Sequence, residues 1–132
     1  MRTQPKDEEI DRLLAFLPIF SDSSFQPVIK WHSNADSESG VAMTPYPEYD
    51  SHVRQFCRVV AKGGWAAGNY LQKAPELFDA PERIGCSDLE EICCALTFIV
   101  RGERFCDGHI AAMIKKGHVV RVLERLRELT RR

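Results

Sequence analysis

Apolar side chains recur every three or four positions through most of this chain, which is the spacing of one face of an α-helix. The first such stripe consists of Ile10, Leu13, Leu14 and Leu17, and it follows a proline and a run of acidic residues. Similar stripes begin near positions 51, 66, 87, 107 and 118. We therefore predict a mainly α-helical fold, a bundle of five or six helices.

Proline and capping residues suggest where the early helices begin and end. Pro18 should end the first helix, because a proline inside a helix removes a hydrogen bond and clashes with the preceding turn. Asp50 or Ser51 can cap the second helix. For the same reason as at Pro18, we expect Pro75 to interrupt the helical pattern that starts near residue 66, with an irregular segment following it.

The later helices also have clear start and stop signals in the sequence. Glycines at 63 and 64 should stop the second helix, and Trp65 should then enter the core with its N–H bonded to a polar partner. Residues 87–90 (SDLE) have the capping-box pattern, and the helix they open is apolar enough to be central. Asp107 can cap the helix after that.

A small β-hairpin is predicted near residues 25–44. Residues 25–31 can form one strand, residues 33–40 are a polar loop, and residues 41–44 can return as the partner strand. In the segment that follows, two prolines exclude a central strand or a helix. Tyr46 and Tyr49 lie in that segment, where they either form a contact surface or cover the edge of the core.

Length and charge limit the possible classes of protein. A chain of 132 residues fits one domain, so we treat residues 1–132 as a single domain. The formal net charge is only −1, but residues 1–50 hold four basic and nine acidic side chains, whereas residues 101–132 hold nine basic and four acidic ones. The two ends can therefore face each other, within one chain or between two. The whole molecule lacks the positive excess that usually drives nucleic-acid binding.

The cysteines indicate a reducing compartment. There are five, an odd number, and the longest apolar run is too short to span a bilayer. We expect free thiols and a cytoplasmic protein with no membrane association. Cys106 and His109 form one short metal-ligand spacing, but zinc needs four ligands and no second short pair is present. We therefore predict no metal and no cofactor.

The chain resembles a family of small prokaryotic proteins of unknown function. The matching residues are LLAFLP at 13–18, GW at 64–65, DLE at 88–90, LTFIVRGERFCDGH at 96–109, and the leucines of the C-terminal helix. The specific part is the run R-x-x-R-F-C-x-G-H at 101–109. The resemblance implies one domain over nearly the whole chain, and it carries no activity across.

The same run holds the densest polar cluster: Arg101, Glu103, Arg104, Asp107 and His109. Two arginines can grip a carboxylate or phosphate, and a histidine can act as acid or base near neutral pH. Alternatively, Glu103 pairs with the arginines and the cluster simply fixes the turn between two helices. The sequence leaves both interpretations open.

Three functions follow, in decreasing order of expectation. The first is a small binding or assembly module that self-associates, a homo-oligomer, which rests on the acidic and basic ends and the proline-tyrosine segment. The second is a small enzyme or a protein that binds an anionic ligand through the polar cluster. The third is nucleic-acid binding by Arg121, Arg125 and Arg127 on the last helix, which is disfavoured because the start of that helix lacks base-reading side chains.

Overall fold

The structure, a computed structural model, describes residues 5–32 and 46–131. Within these ranges the chain forms seven α-helices: α1 (Asp7–Leu14), α2 (Leu17–Ser21), α3 (Ser51–Lys62), α4 (Tyr70–Asp79), α5 (Leu89–Arg101), α6 (His109–Lys115) and α7 (His118–Thr130). Two strands, β1 (Val28–His32) and β2 (Tyr46–Tyr49), form an antiparallel sheet. Turns of 3-10 helix occupy Pro81–Cys86 and Gly102–Arg104. The predicted mainly α-helical class with a small hairpin is confirmed.

The number of helices exceeds the expected five or six because two helices, α1 and α2, take the place of the first predicted helix. The helix α1 ends at Leu14, and Pro18 lies in the first turn of α2. A first-turn amide has no partner inside the helix, so a proline is tolerated there. The prediction that Pro18 ends a helix was therefore wrong. The break turns Phe16 and Phe20 onto Phe56 of α3, with ring centroids 5.7 and 5.4 Å from that ring.

The prediction at Pro75 was also wrong, because α4 runs through this proline to Asp79. Its buried side chains, Ala74 and Leu77, flank the proline and pack into the core. The carbonyl that loses its partner is that of Leu71, whose side chain is 65% exposed, so water can replace the missing donor. Tertiary burial on one side of α4 therefore outweighs the local cost of Pro75.

The central helix is α5, as predicted, and its apolar side chains are buried on most sides. Its capping box is shifted by one residue from the predicted pattern, because Asp88 accepts from the Glu91 amide at 2.8 Å and Glu91 accepts from the Asp88 amide at 3.2 Å. Ser87 instead points inward and donates its hydroxyl to the Ile84 carbonyl at 2.6 Å. A buried hydroxyl needs such a partner, which removes Ser87 from the capping position.

The hairpin forms between β1 and β2, with Lys30 opposite Glu48 and Trp31 opposite Pro47. The second strand lies in the proline-tyrosine segment, and the predicted partner at residues 41–44 falls outside the described residues. Pro47 is compatible with this arrangement because both strands of a two-stranded sheet are edge strands. Asp50, which follows β2, caps α3 as predicted by accepting from the His52 amide at 2.8 Å.

Trp65 enters the core as predicted and is completely buried. Its indole Nε1, however, has no hydrogen-bond partner among the described residues, so the expected polar contact was wrong. The hydroxyl that approaches this residue belongs to Thr97, and it bonds the backbone instead: it accepts from the Ala67 amide and donates to the Cys93 and Trp65 carbonyls. The indole ring itself lies beneath Gly63.

The last helix, α7, packs against the first two helices of the chain. Its buried residues, Val119, Val122, Leu123 and Leu126, lie in the same core cluster as those of α5. Both α1 and α2 contact α7, so the acidic end and the basic end lie side by side within one chain.

Candidate functional site

The polar run at 101–109 forms the connection between α5 and α6. It comprises the end of α5, the 3-10 turn Gly102–Arg104, a further turn at 105–108, and His109 as the first residue of α6. The five predicted site residues are therefore close in sequence and in space, but their side chains serve different contacts.

Glu103 is the centre of a hydrogen-bond network. Its carboxylate accepts from the Gly108 amide at 2.9 Å, from the Ile110 amide at 2.9 Å and from the Tyr49 hydroxyl at 2.7 Å. The two amides belong to the unsatisfied N–H groups at the start of α6, where a negative charge is favoured. Glu103 thus caps α6 and, through Tyr49, fastens the hairpin to the helices.

Asp107 does not cap α6, although the sequence suggested that it would. Gly108 occupies the N-cap position with φ of 90°, and no side-chain bond from that position caps the helix. This left-handed turn suits glycine and moves the helix start one residue past the aspartate. Asp107 is exposed.

Both glycines of the run are enclosed by aromatic rings. A Cβ on Gly108 would lie 2.9 Å from the Trp31 ring of β1, and one on Gly102 would collide with the imidazole of His109. The His109 Nε2 donates to the Phe98 carbonyl at 3.2 Å, since a carbonyl can only accept. Burial lowers the pKa of His109, so this imidazole is neutral at pH 7. Its geometry is that of a packed and hydrogen-bonded side chain.

The side chains of the two arginines make contacts away from Glu103 and His109. Arg101 places its guanidinium carbon 5.4 Å from the centre of the Tyr70 ring, a cation–π contact. Arg101 and Arg104 both line a cavity of about 180 Å³ beside Thr97. Neither forms an ion pair with Glu103 in the described ranges, so the alternative in which Glu103 pairs with the arginines was wrong. Whether the arginines bind a ligand stays a prediction.

The remaining part of the run is an exposed turn at residues 104–107, Arg-Phe-Cys-Asp, which we call the RFCD turn. Phe105 at its centre is 83% exposed, and Cys106 is exposed as well. Phe105 is not among the predicted site residues, although a large apolar residue between Arg104 and Asp107 was a signal. Trp31, which is 48% exposed and packs on Gly108 beside this turn, was not predicted as a site residue either.

The two tyrosines predicted as an interface differ. Tyr49 is half-buried, and both burial and the hydrogen bond to Glu103 raise its pKa above the usual value. Tyr46 is 42% exposed and stacks on His32, with ring centroids 5.1 Å apart. Only Tyr46 therefore has a surface available for a partner.

Other types of site have no counterpart in residues 5–32 and 46–131. There, no three His, Cys, Asp or Glu side chains are placed to share a metal ion. None of the helices in those ranges combines the length and apolarity needed to cross a membrane. On α7, Arg121 donates to the Lys116 carbonyl at 3.0 Å and Arg125 to the Ser87 carbonyl at 2.8 Å, so both are engaged within the chain.

Comparison with known proteins places the chain in a family without adding a function. No curated protein and no solved structure matches it. One family model does match, over residues 5–132, and it covers almost the entire sequence. The chain belongs to DUF6508, a family of unknown function.

Proposed function

We propose that this protein is a small binding and assembly module that self-associates through the RFCD turn. The observation that supports the proposal is Phe105, a large apolar side chain 83% exposed at the tip of a well-anchored turn. Aromatic residues are enriched at protein–protein interfaces, and the residues that contribute most to binding cluster near the centre of an interface.

The turn is pre-organised for binding. The amides of Phe105 and Cys106 both donate to the Gly102 carbonyl at 3.1 Å, and the His109 amide donates to the Cys106 carbonyl at 3.1 Å. Glu103 holds the chain on the other side of the turn. An anchor that is already rigid loses little conformational entropy when it binds, so more of its contact energy appears as affinity.

The composition of the turn favours a second copy as the partner. Arg104 precedes Phe105 and Asp107 follows Cys106, and both charged residues are exposed. About a two-fold axis, Arg104 of one copy can face Asp107 of the other while the two Phe105 rings meet. Such self-complementarity is what a symmetric dimer interface requires. Trp31, which packs beside the turn, extends the surface that we propose, whereas Tyr46 lies with His32 on the opposite face of the hairpin.

Sedimentation or light scattering over a concentration series tests the proposal. We expect a concentration-dependent dimer that Phe105→Asp converts to monomer, because two apolar anchors of about 1.5–3 kcal/mol each are lost. The matched control is Leu71→Asp, since Leu71 on α4, at 65% exposure, is the next most exposed large apolar side chain among the described residues. A monomer at all concentrations, or equal effects of the two variants, refutes self-association through this turn.

The two exposed cysteines give an independent measurement. Cys106 lies in the RFCD turn, whereas Cys86 lies in the 3-10 turn before α5. Mild oxidation should therefore link two copies through Cys106, and Cys106→Ser should abolish that dimer while Cys86→Ser leaves it. Crosslinking that depends on Cys86 instead would contradict the proposed orientation.

A second function, binding of a small oxyanion by Arg101 and Arg104, is supported by the cavity that both residues line. Its volume of about 180 Å³ suits a single inorganic anion more than an organic ligand. Titration with inorganic phosphate, followed by NMR, should shift the amide signals around this cavity, and Arg104→Ala should remove the shift. Unchanged signals at millimolar phosphate would exclude this function.

We also propose that the protein acts in the cytoplasm of a prokaryotic cell. The five cysteines, all of them free thiols, support a reducing compartment. The resemblance of the 101–109 run supports the prokaryotic origin.

A further inference from the structure

A second cavity, away from the polar run in sequence, lies between α1 and the C-terminal half of α3. Its volume is about 340 Å³, within the range of small-molecule sites. The cavity is lined by Glu9, Arg12, Phe16, Gln55, Arg58, Val59, Lys62 and Gly63. The fold of this chain thus provides a depression that can hold a ligand of modest size.

The rim of this cavity carries an excess of positive charge. Arg12 of α1 and Arg58 and Lys62 of α3 are exposed, and none of the three forms an ion pair in the described residues. Surface cations that lack a carboxylate partner can rearrange toward an anion without first breaking a contact. Two arginines also offer the fork geometry that matches phosphate oxygens.

The single carboxylate of the lining is already engaged. Glu9 accepts from the Gly64 amide at 3.1 Å and from its own capping partner, the Lys6 amide, at 3.3 Å. These bonds fix its position but leave its negative charge, so the lining carries three cations and one carboxylate, a net charge of +2. Gln55, the other polar residue, is an uncharged donor and acceptor.

The interior wall of the cavity is apolar. The Phe16 ring is buried to 7% exposure and Val59 is half-buried, so both present hydrocarbon toward the depression. A Cβ on Gly63 would lie 2.6 Å from the Trp65 indole, so no larger residue fits at that wall. An anionic group at the rim can therefore be accompanied by an apolar body against Phe16 and Val59.

From these features we infer that the α1–α3 cavity binds a small phosphate monoester with an aromatic or branched apolar group. Three cations favour a doubly charged head over a carboxylate, and the apolar wall favours a hydrophobic body over bare phosphate. The site does not depend on the RFCD turn, so it stands whether or not the protein self-associates.

Trp65 provides the reporter for the test, since its indole lies directly beneath Gly63. In a Trp31→Phe variant, which removes the half-exposed tryptophan, we would titrate phenyl phosphate, inorganic phosphate and benzyl alcohol and follow tryptophan emission. We expect saturable binding of phenyl phosphate, at least about ten-fold tighter than that of either probe carrying only one of its two groups. If benzyl alcohol bound as tightly as phenyl phosphate, the cavity would be only an apolar crevice and the inference would be overturned. Binding of inorganic phosphate as tight as that of phenyl phosphate would overturn it as well.

A pair of variants on one helix separates a site from general charge attraction. Arg58→Gln should weaken phenyl phosphate by about ten-fold or more, while Arg54→Gln, an exposed arginine of α3 outside the cavity lining, should change it by less than about two-fold. Equal weakening refutes the site. If circular dichroism shows that Arg58→Gln is unfolded, Lys62→Gln decides in its place, with the same expected loss.

Discussion

Removing the Glu103 carboxylate tests whether the polar run is a structural network. Three hydrogen bonds converge on it, from the Gly108 amide, the Ile110 amide and the Tyr49 hydroxyl. A hydrogen bond to a charged group contributes about 1.5–3 kcal/mol when buried, and less here because Glu103 is half-buried and water can replace part of each bond. At about 1 kcal/mol per bond, Glu103→Ala should cost about 3 kcal/mol of unfolding free energy.

The assay is urea unfolding followed by circular dichroism, with thermal unfolding in parallel. A loss of about 3 kcal/mol in a domain of this size lowers the Tm by about 8–12 °C. Glu103→Gln keeps the size but places an amide nitrogen against a donor, so we expect about half of the loss. The control is Glu124→Ala on α7, an exposed glutamate, which should change stability by less than about 0.5 kcal/mol.

A double-mutant cycle between Tyr49→Phe and Glu103→Ala isolates the bond that fastens the hairpin. We expect a coupling free energy of about 1 kcal/mol, because the two residues share one hydrogen bond across 54 positions of sequence. If Glu103→Ala costs less than about 1 kcal/mol, or if the two substitutions are additive, the reasoning is refuted. In that case Glu103 is free to serve a ligand.

Three further predictions concern the same region. Gly102→Ala should cost about 1–3 kcal/mol in urea unfolding, because its Cβ would collide with the His109 ring, whereas Gly85→Ala, which meets nothing within 4 Å, should be nearly neutral. The Tm should fall as the pH drops below about 6.5, because the pKa of His109 is lower in the folded protein than in the unfolded chain, which therefore binds protons more tightly. The slope of Tm against pH between pH 6.5 and 5 should be smaller in His109→Gln. An unchanged slope in this variant would contradict the assignment to His109. Burial raises the pKa of the Cys57 thiol to about 11, whereas Cys106 is exposed. At pH 8 iodoacetamide should therefore label Cys106 quickly and Cys57 slowly, which mass spectrometry of the peptides can measure. Comparable labelling rates would contradict the buried placement of Cys57.

The helices were the part of the fold that the sequence could predict. Asp50 as a cap and Gly63 as a helix end were both confirmed, since each depends on residues a few positions apart. Pro18 was misjudged because it lies in the first turn of a second helix, where its missing amide costs no hydrogen bond. Pro75 was misjudged because a proline rule describes local cost alone, and there the burial of Ala74 and Leu77 decided.

The candidate site was harder to predict, because its connections are non-local. The sequence identified Glu103 as part of a polar cluster, but its partner Tyr49 lies 54 residues away. Asp107 stands at a typical capping distance, yet the left-handed turn at Gly108 shifts the helix start and leaves the capping role to Glu103. A positive φ is not visible in composition or periodicity, so spacing alone could not assign the cap.

The contact between α1 and α7 has a consequence for biosynthesis. Leu13 of α1 is fully buried in the finished protein, in the core cluster that also contains the apolar side chains of α7. These helices are about 100 residues apart, which a ribosome takes roughly 5–20 s to add. During that interval α3 can cover part of the α1 stripe, but the part that α7 covers stays exposed, and transiently exposed apolar surface of this kind is what chaperones protect.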